Sequence, residues 1–241
     1  MTKKRVALMV LLLLIISFAA YRFYLSKPQA FVQQTEIIQQ LKQFEPTITV
    51  QSVEDIIRVD DSHYFVPILA EDGQQASLLY QWRKGKWQID YVRIGSSTFM
   101  HGWQLDANDP RSIVFVWHFP KDAIDSVDIY LLRKRNAFVS NGHQHYVPQI
   151  QLKETLHLNQ HYGVQPMSQA FSETLHQLNQ YQFEAQPSWF NTFTYQEPPQ
   201  FYAKYVYKEA VPHEADQHGY ATGFGTNQFH YIISVTEELL E

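Results

Sequence analysis

Three hydrophobic rhythms run along the chain. From Val6 to Tyr21 there is none at all: 16 consecutive residues carry no charge, and Lys3, Lys4 and Arg5 stand directly before them. From Phe31 to Phe44 apolar residues recur at three- and four-residue steps through Ile38 and Leu41, which predicts an amphipathic helix over residues 29–44. Pro28 suits its first turn and Pro46 stops it. From Thr47 the step becomes two, the period of strands.

The unbroken run has the length of a membrane anchor once its flank is included. Val6 to Tyr21 covers about 24 Å as a helix, against a hydrocarbon layer of roughly 30 Å. Carried on to Leu25, with Arg22 snorkelling and Tyr21, Phe23 and Tyr24 in the interface, it reaches about 30 Å. Residues 1–5 are then a cytoplasmic basic end, and residues 6–25 a transmembrane signal-anchor that puts the rest of the chain outside the membrane. The rival reading is a signal peptide cut after Ser17-Phe18-Ala19, which would release a secreted protein. A buried core helix fits worst, because the run is apolar on every side.

Two-residue alternation then dominates. Ile48 and Val50 suggest a first strand and Ile56 to Val59 a second. Tyr64–Ala70 and Gln75–Arg83 flank Asp72-Gly73, a hairpin signal. Trp82-Arg-Lys-Gly-Lys-Trp87 makes another. With Lys84-Gly85 as its two-residue loop, Trp82 opposes Trp87 and Tyr80 opposes Ile89, which puts the large apolar pairs on one face. Helix plus meander resembles in outline the cone-shaped α+β domains of the cystatin-like kind over residues 28–95. The hairpin is a generic motif and such folds host many functions, so the resemblance implies a fold and no family.

Asp106-Ala-Asn-Asp-Pro110 punctuates the next stretch and suggests a boundary near 100–111. Beyond it, Ser112–Phe119, Val127–Arg133, Ile150–Leu158, Phe201–Tyr207 and Phe229–Val235 read as strands. Pro166 opens a second amphipathic helix, 167–181. The expected fold class is α+β: an N-terminal transmembrane helix, then antiparallel β-meander sheets with two amphipathic helices. The expected division is 28–100, helix plus meander, and 111–241, mostly β with one helix.

Composition narrows the function. Cysteine is absent, so the outer part holds together by packing, without disulfides, and no lipid-modified amino terminus can form. The first five residues hold three cations and no acid, which leaves 16 basic against 24 acidic residues and a net charge of −8 beyond them. An acidic outer domain argues against nucleic acid as a partner.

Eleven histidines and no cysteine make a His/carboxylate metal site the enzyme idea to test. His143 and His145 share one side of a strand, and His157 and His161 on the succeeding segment are the nearest further donors. His213-Glu-Ala-Asp-Gln-His218 misses the zinc-protease spacing by one residue, which turns the second ring about 140° from the first on a helix. Asn141-Gly142 reads as a turn that puts His143 and His145 at a solvated loop end, so no metal and no cofactor are expected. No Gly-x-Ser-x-Gly elbow and no phosphate loop occur. Arg83, Lys84 and Lys86 form a basic hairpin tip that could hold an anionic partner.

The reading is a membrane-anchored extracytoplasmic binding or accessory protein of the cell envelope, non-enzymatic, that meets an envelope protein or a cell-wall ligand. The alternatives are a metal-dependent hydrolase acting on envelope substrates and a domain that binds a small sugar or aromatic ligand.

Overall fold

Alternating residues dominate the sequence beyond Thr47, and the fold is accordingly mostly β. The computed structural model describes residues 3–21, 27–95, 99–140, 143–184, 198–208, 229–235 and 240, and among them lie three α-helices and 14 strands. The chain divides into two compact units at Ile94 and Gly95.

The first helix, α1 (Lys3–Ala20), has 18 residues. Among the described residues no helix is long and apolar enough to cross a membrane. Lys3, Lys4 and Arg5 occupy the first turn of α1, which leaves about 22 Å of uncharged helix from Val6 to Ala20. Residues 22–25 of the expected 6–25 span lie outside the described residues. Met9 to Ile16 and Phe18 each expose more than half of their side-chain surface.

In the first unit α2 (Gln34–Phe44) packs on a sheet of β1 (Val50–Val53), β2 (Ile57–Arg58), β3 (His63–Ala70), β4 (Gln75–Arg83) and β5 (Lys86–Gly95), ordered β1-β3-β4-β5 with β2 also on β3. The helix starts later than its periodicity suggests. Gln33 O accepts from the Glu36 and Ile37 amides at 2.9 and 3.0 Å. Phe31 stays outside the helix, stacked on Tyr64 with ring centroids 4.1 Å apart and edge-on to Trp87. Ile37 and Leu41, four apart, are the fully buried positions. They pack with Val66, Ile68, Leu78, Tyr80 and Trp87 of the sheet.

Both hairpins form where Asp-Gly and Lys-Gly stand. Gly73 takes φ +82° and its amide donates to Ala70 O, a type I turn closed by a left-handed glycine. Lys84 and Gly85 both take positive φ, 53° and 72°, the mirror-image turn that suits the strand twist. Trp82 and Trp87 meet edge to face, centroids 5.3 Å apart. Further along β5 the helix-facing set changes parity, from Trp87 and Ile89 to Val92 and Ile94.

The second unit is a seven-stranded sheet ordered β11-β8-β13-β14-β6-β7-β12. Its strands are β6 (Phe99–Gln104), β7 (Ile113–His118), β8 (Ile124–Arg133), β11 (Ile150–His157), β12 (Tyr162–Pro166), β13 (Gln200–Tyr207) and β14 (Phe229–Ser234). All neighbours are antiparallel except β13 and β14. Asp106–Pro110 is a turn inside this unit that joins β6 to β7.

The sheet is curled by necessity. Its two edge strands, β11 and β12, follow each other in sequence with only Leu158–His161 between them. Seven flat strands would set the edges roughly 29 Å apart at ~4.8 Å per step, and that link reaches about 18 Å at most. One core follows from the curl: Phe115 and Trp117 of β7 and Val127, Ile129 and Leu131 of β8 share a cluster with Phe171 and Leu175 of α3 (Gln169–Glu184). Pro166 ends β12 and does not open α3. Ser168 Oγ accepts from the Phe171 amide at 3.3 Å, a serine in the capping position.

A two-stranded ribbon, β9 (Asn136–Ser140) with β10 (His143–Val147), continues β8 and β11 in the same register, Val147 opposite Asn136 and Ile150 opposite Arg133.

Candidate functional site

A cavity of about 860 Å³ opens in the second unit, within the size range of small-molecule sites. It is built where the sheet's last strands meet the rest. Phe229, Tyr231 and Ile233 come from β14, Gln200 and Phe201 from β13, and Gln104 from the end of β6. The turn after β6 adds Asn108 and Pro110, helix α3 adds Leu175 and His176, and Pro198 and Pro199 precede β13. Among the described residues that line it, none is Asp, Glu, Lys or Arg.

One polar chain orders this wall. Gln104 Nε2 donates to the Asp106 carbonyl at 2.9 Å, which fixes the amide: turned over, its oxygen would face that carbonyl oxygen. Gln104 Oε1 therefore faces His230 Nε2 at 3.0 Å and, as an acceptor, requires that nitrogen to carry the proton. Burial pushes the His230 imidazole below its ordinary value, so the ring is neutral near pH 7 and Nδ1 holds a lone pair. Nδ1 has no hydrogen-bond partner among the described residues.

The surroundings hold both ends of the chain in place. The Asp106 amide donates to Ser112 Oγ at 2.8 Å, the Asn108 amide to Asp106 Oδ1 at 2.9 Å, and Arg111 pairs with Asp109 at 2.9 Å. His230 sits opposite Gly102 on β6. A Cβ at Gly102 would come within 3.1 Å of His230 Cβ and 3.3 Å of Ile113 Cγ2, so the absent side chain lets the two strands and Ile113 pack closely here. Phe201 meets the His230 ring edge-on at 5.9 Å.

A second polar cluster lies in the first unit. His63 is buried, and its Nδ1 stands 2.9 Å from both Asp60 carboxylate oxygens and 3.1 Å from Ser62 Oγ. Burial raises the Asp60 carboxyl, but the His63 bond and the Ser62 amide outweigh it and hold it below the usual range. In a hydrolytic triad the serine and the acid take opposite nitrogens. Here Ser62 shares Nδ1 with Asp60, so this geometry does not activate it. Nearby on β5, burial pushes the Asp90 carboxyl up, against the opposing pull of Arg83 and His63. Arg83 reaches Asp90 at 3.1 Å, so its charge is answered within its own hairpin while Lys84 and Lys86 remain exposed at the tip.

The four histidines singled out from the sequence do not converge. His143 and His145 lie on β10 near the end of the ribbon, and the Asn141-Gly142 turn lies outside the described residues. His157 ends β11 opposite Ser126, 12 residues of ribbon from His145, or roughly 40 Å at ~3.3 Å per residue if straight. His161 instead pairs with a residue the sequence reading passed over. Its ring centroid is 6.1 Å from that of His118, which is fully buried on β7, and its carbonyl accepts from the Phe119 amide at 2.7 Å. Two imidazoles supply half of a tetrahedral zinc set. His213, His218 and the Gly219–Gly225 segment lie outside the described residues.

The cavity is not legible in sequence, since its walls come from four separate stretches between Gln104 and Ile233 and carry no motif. No protein-family model, no curated protein and no solved structure matches this chain.

Proposed function

We propose that the chain is a non-enzymatic binding protein of the cell envelope, anchored by its amino-terminal segment with the chain from residue 28 on outside the membrane, and that the cavity of the second unit is its ligand site. The cavity is the observation that carries this reading: a concave space with mostly apolar lining and a small set of polar groups. The anchor rests on the uncharged run preceded by Lys3, Lys4 and Arg5 and on the exposed apolar surface of α1, which needs a cover of lipid or protein. In the sequence Tyr21, Arg22, Phe23 and Tyr24 follow, side chains of the kind that sit at a membrane interface.

The test uses the full chain in membrane vesicles. Retention in the membrane after alkaline extraction, with the carboxyl-terminal end open to protease added outside, supports the topology. Release by alkali sinks the anchor. Ligand screening on the same purified chain, with Phe229→Ala as the cavity control, tests the site.

The second reading, a metal-dependent hydrolase, is favoured by the His118–His161 pair. Stoichiometric zinc lost in a His118→Ala/His161→Ala variant would promote it over binding.

A further inference from the structure

We infer that the β4–β5 hairpin of the first unit, led by Lys84 and Lys86, docks on anionic lipid headgroups of the membrane that holds the chain, an inference that rests on the anchor proposed above.

The chain's exit from the anchor is fastened to this hairpin. Trp87, which follows Lys86 at the start of β5, donates from Nε1 to Gln29 O at 3.1 Å. Phe31 adds a second fastening, stacked on Tyr64 and edge-on to Trp87 with centroids 5.2 Å apart. Gln29 lies four residues beyond Leu25, the expected end of the span, and four residues reach about 14 Å at most. A tether this short keeps the hairpin end of the sheet beside the bilayer, so that contact with headgroups is an intramolecular event.

Charge selects which end of the unit faces the lipid. Lys84 and Lys86 are exposed at the turn, and Lys27 is exposed on the tether. Acids stand near them, but they are answered locally. The Trp82 amide donates to Ser62 O at 2.8 Å, which brings the Asp60–Ser62 turn to the hairpin. There Asp60 is bonded to His63 and Asp61 is paired with Arg58. Asp90 is paired with Arg83 at 3.1 Å. Glu36, in the first turn of α2, is one charge against the three lysines. At the far end Glu71 and Asp72 are exposed in the β3–β4 turn, roughly 27 Å away along β4 and well beyond a screening length of ~10 Å. An anionic surface therefore attracts the lysine end and repels the other, although the chain beyond residue 5 is acidic as a whole.

The hairpin also carries an interfacial ring. Trp82, two residues before Lys84, is partly buried and meets Trp87 edge to face. An indole with lysines beside it is the pairing that suits a headgroup layer, where the ring sits among the glycerol groups and the ammonium meets phosphate.

The experiment places the full chain in vesicles of phosphatidylcholine alone and of phosphatidylcholine with an equal part of phosphatidylglycerol. An amine reagent that does not cross membranes is added outside, and each lysine is followed by peptide mass spectrometry. Lys84 and Lys86 are expected to react about threefold or more slowly on the phosphatidylglycerol vesicles. Lys42, near the other end of α2, should react alike on both, and high salt should remove the difference. Quenching of tryptophan fluorescence by a nitroxide on the lipid headgroup gives a second reading, expected to fall in Lys84→Gln/Lys86→Gln with the thermal melt unchanged. Equal rates at Lys84 and Lys86 on the two vesicles, in chain that resists alkaline extraction, overturn the inference and leave the anchor standing. Slowing that extends to Lys42 means adsorption with no preferred end and also overturns it. Protection by added polyphosphate but not by phosphatidylglycerol assigns the hairpin to a soluble polyanion and overturns the lipid contact. Release of the chain by alkali removes the anchor, and the inference falls with it.

Discussion

The indole of Trp117 on β7 fills the space that a side chain at Gly163, its partner on β12, would need. A Cβ at Gly163 would fall 2.4 Å from Trp117 Cζ2 and 2.8 Å from Cη2. The ring is held there, since Nε1 donates to the Gln160 carbonyl at 3.2 Å and the indole is nearly buried. Gly163→Ala is therefore expected to destabilise the second unit by about 1–3 kcal/mol, the cost of overpacking a filled core. Denaturant melts of the two chains check this, and equal midpoints would mean that the indole swings aside freely.

The tryptophan pair of the first unit makes unequal contributions. Trp87 is buried, packs against Phe31, Tyr64 and Trp82, and donates from Nε1 to Gln29 O at 3.1 Å. Trp82 is only partly buried at the hairpin end. Trp87→Ala is expected to cost about 3–5 kcal/mol and Trp82→Ala clearly less. Thermal melts of the two variants decide it; the reverse order would make Trp82 the anchor of the sheet.

Expectation and structure part company where a glycine answers a side chain on a neighbouring strand. The β3–β5 meander is legible because alternation, Asp-Gly and Lys-Gly agree locally. Strands β6 and β12 are not. Gly102 in β6 and Gly163 in β12 interrupt the alternation, and the reason for each lies on another strand: His230 for the first and Trp117 for the second. The cavity was hidden for the same cause, since Gln104 and His230 are 126 residues apart. The late start of α2 follows from Phe31, whose helical spacing is overridden by its stack on Tyr64.

Asp90 makes the fold less stable at neutral pH than it could be. Its folded carboxyl is raised above the 3.8 of an ordinary aspartate, so the folded state holds a proton that the unfolded state has released. Stability from this group is complete below pH 3.8 and is lost as pH rises through the raised folded value. Asp90→Asn cannot ionise and keeps an acceptor for Arg83. Its melting temperature should exceed that of the native chain at pH 7, with the gap closing below pH 3.8. A gap that does not depend on pH would refute the linkage.

His230 works in the opposite direction. Its folded value is lowered from 6.5, so its contribution is complete above pH 6.5 and falls away as pH drops toward the lowered value, where the unfolded chain alone takes up the proton. Between pH 7.5 and pH 5 the native chain should lose more stability than His230→Gln. Parallel losses in denaturant melts at the two values would show that the imidazole is not the group responsible.

The order of strands in the second unit also fixes when it can form during synthesis. The middle of the sheet, between β8 and β6, is occupied by β13 and β14, which are translated after every other strand of the sheet. Until Phe229–Ser234 has emerged, the remaining strands are two fragments, β11-β8-β13 and β6-β7-β12, each with an unpaired edge that invites foreign strands. A ribosome or export channel must therefore hand over the chain as far as Ser234 before this sheet is complete, and a stop codon shortly before Phe229 yields an open, aggregation-prone product.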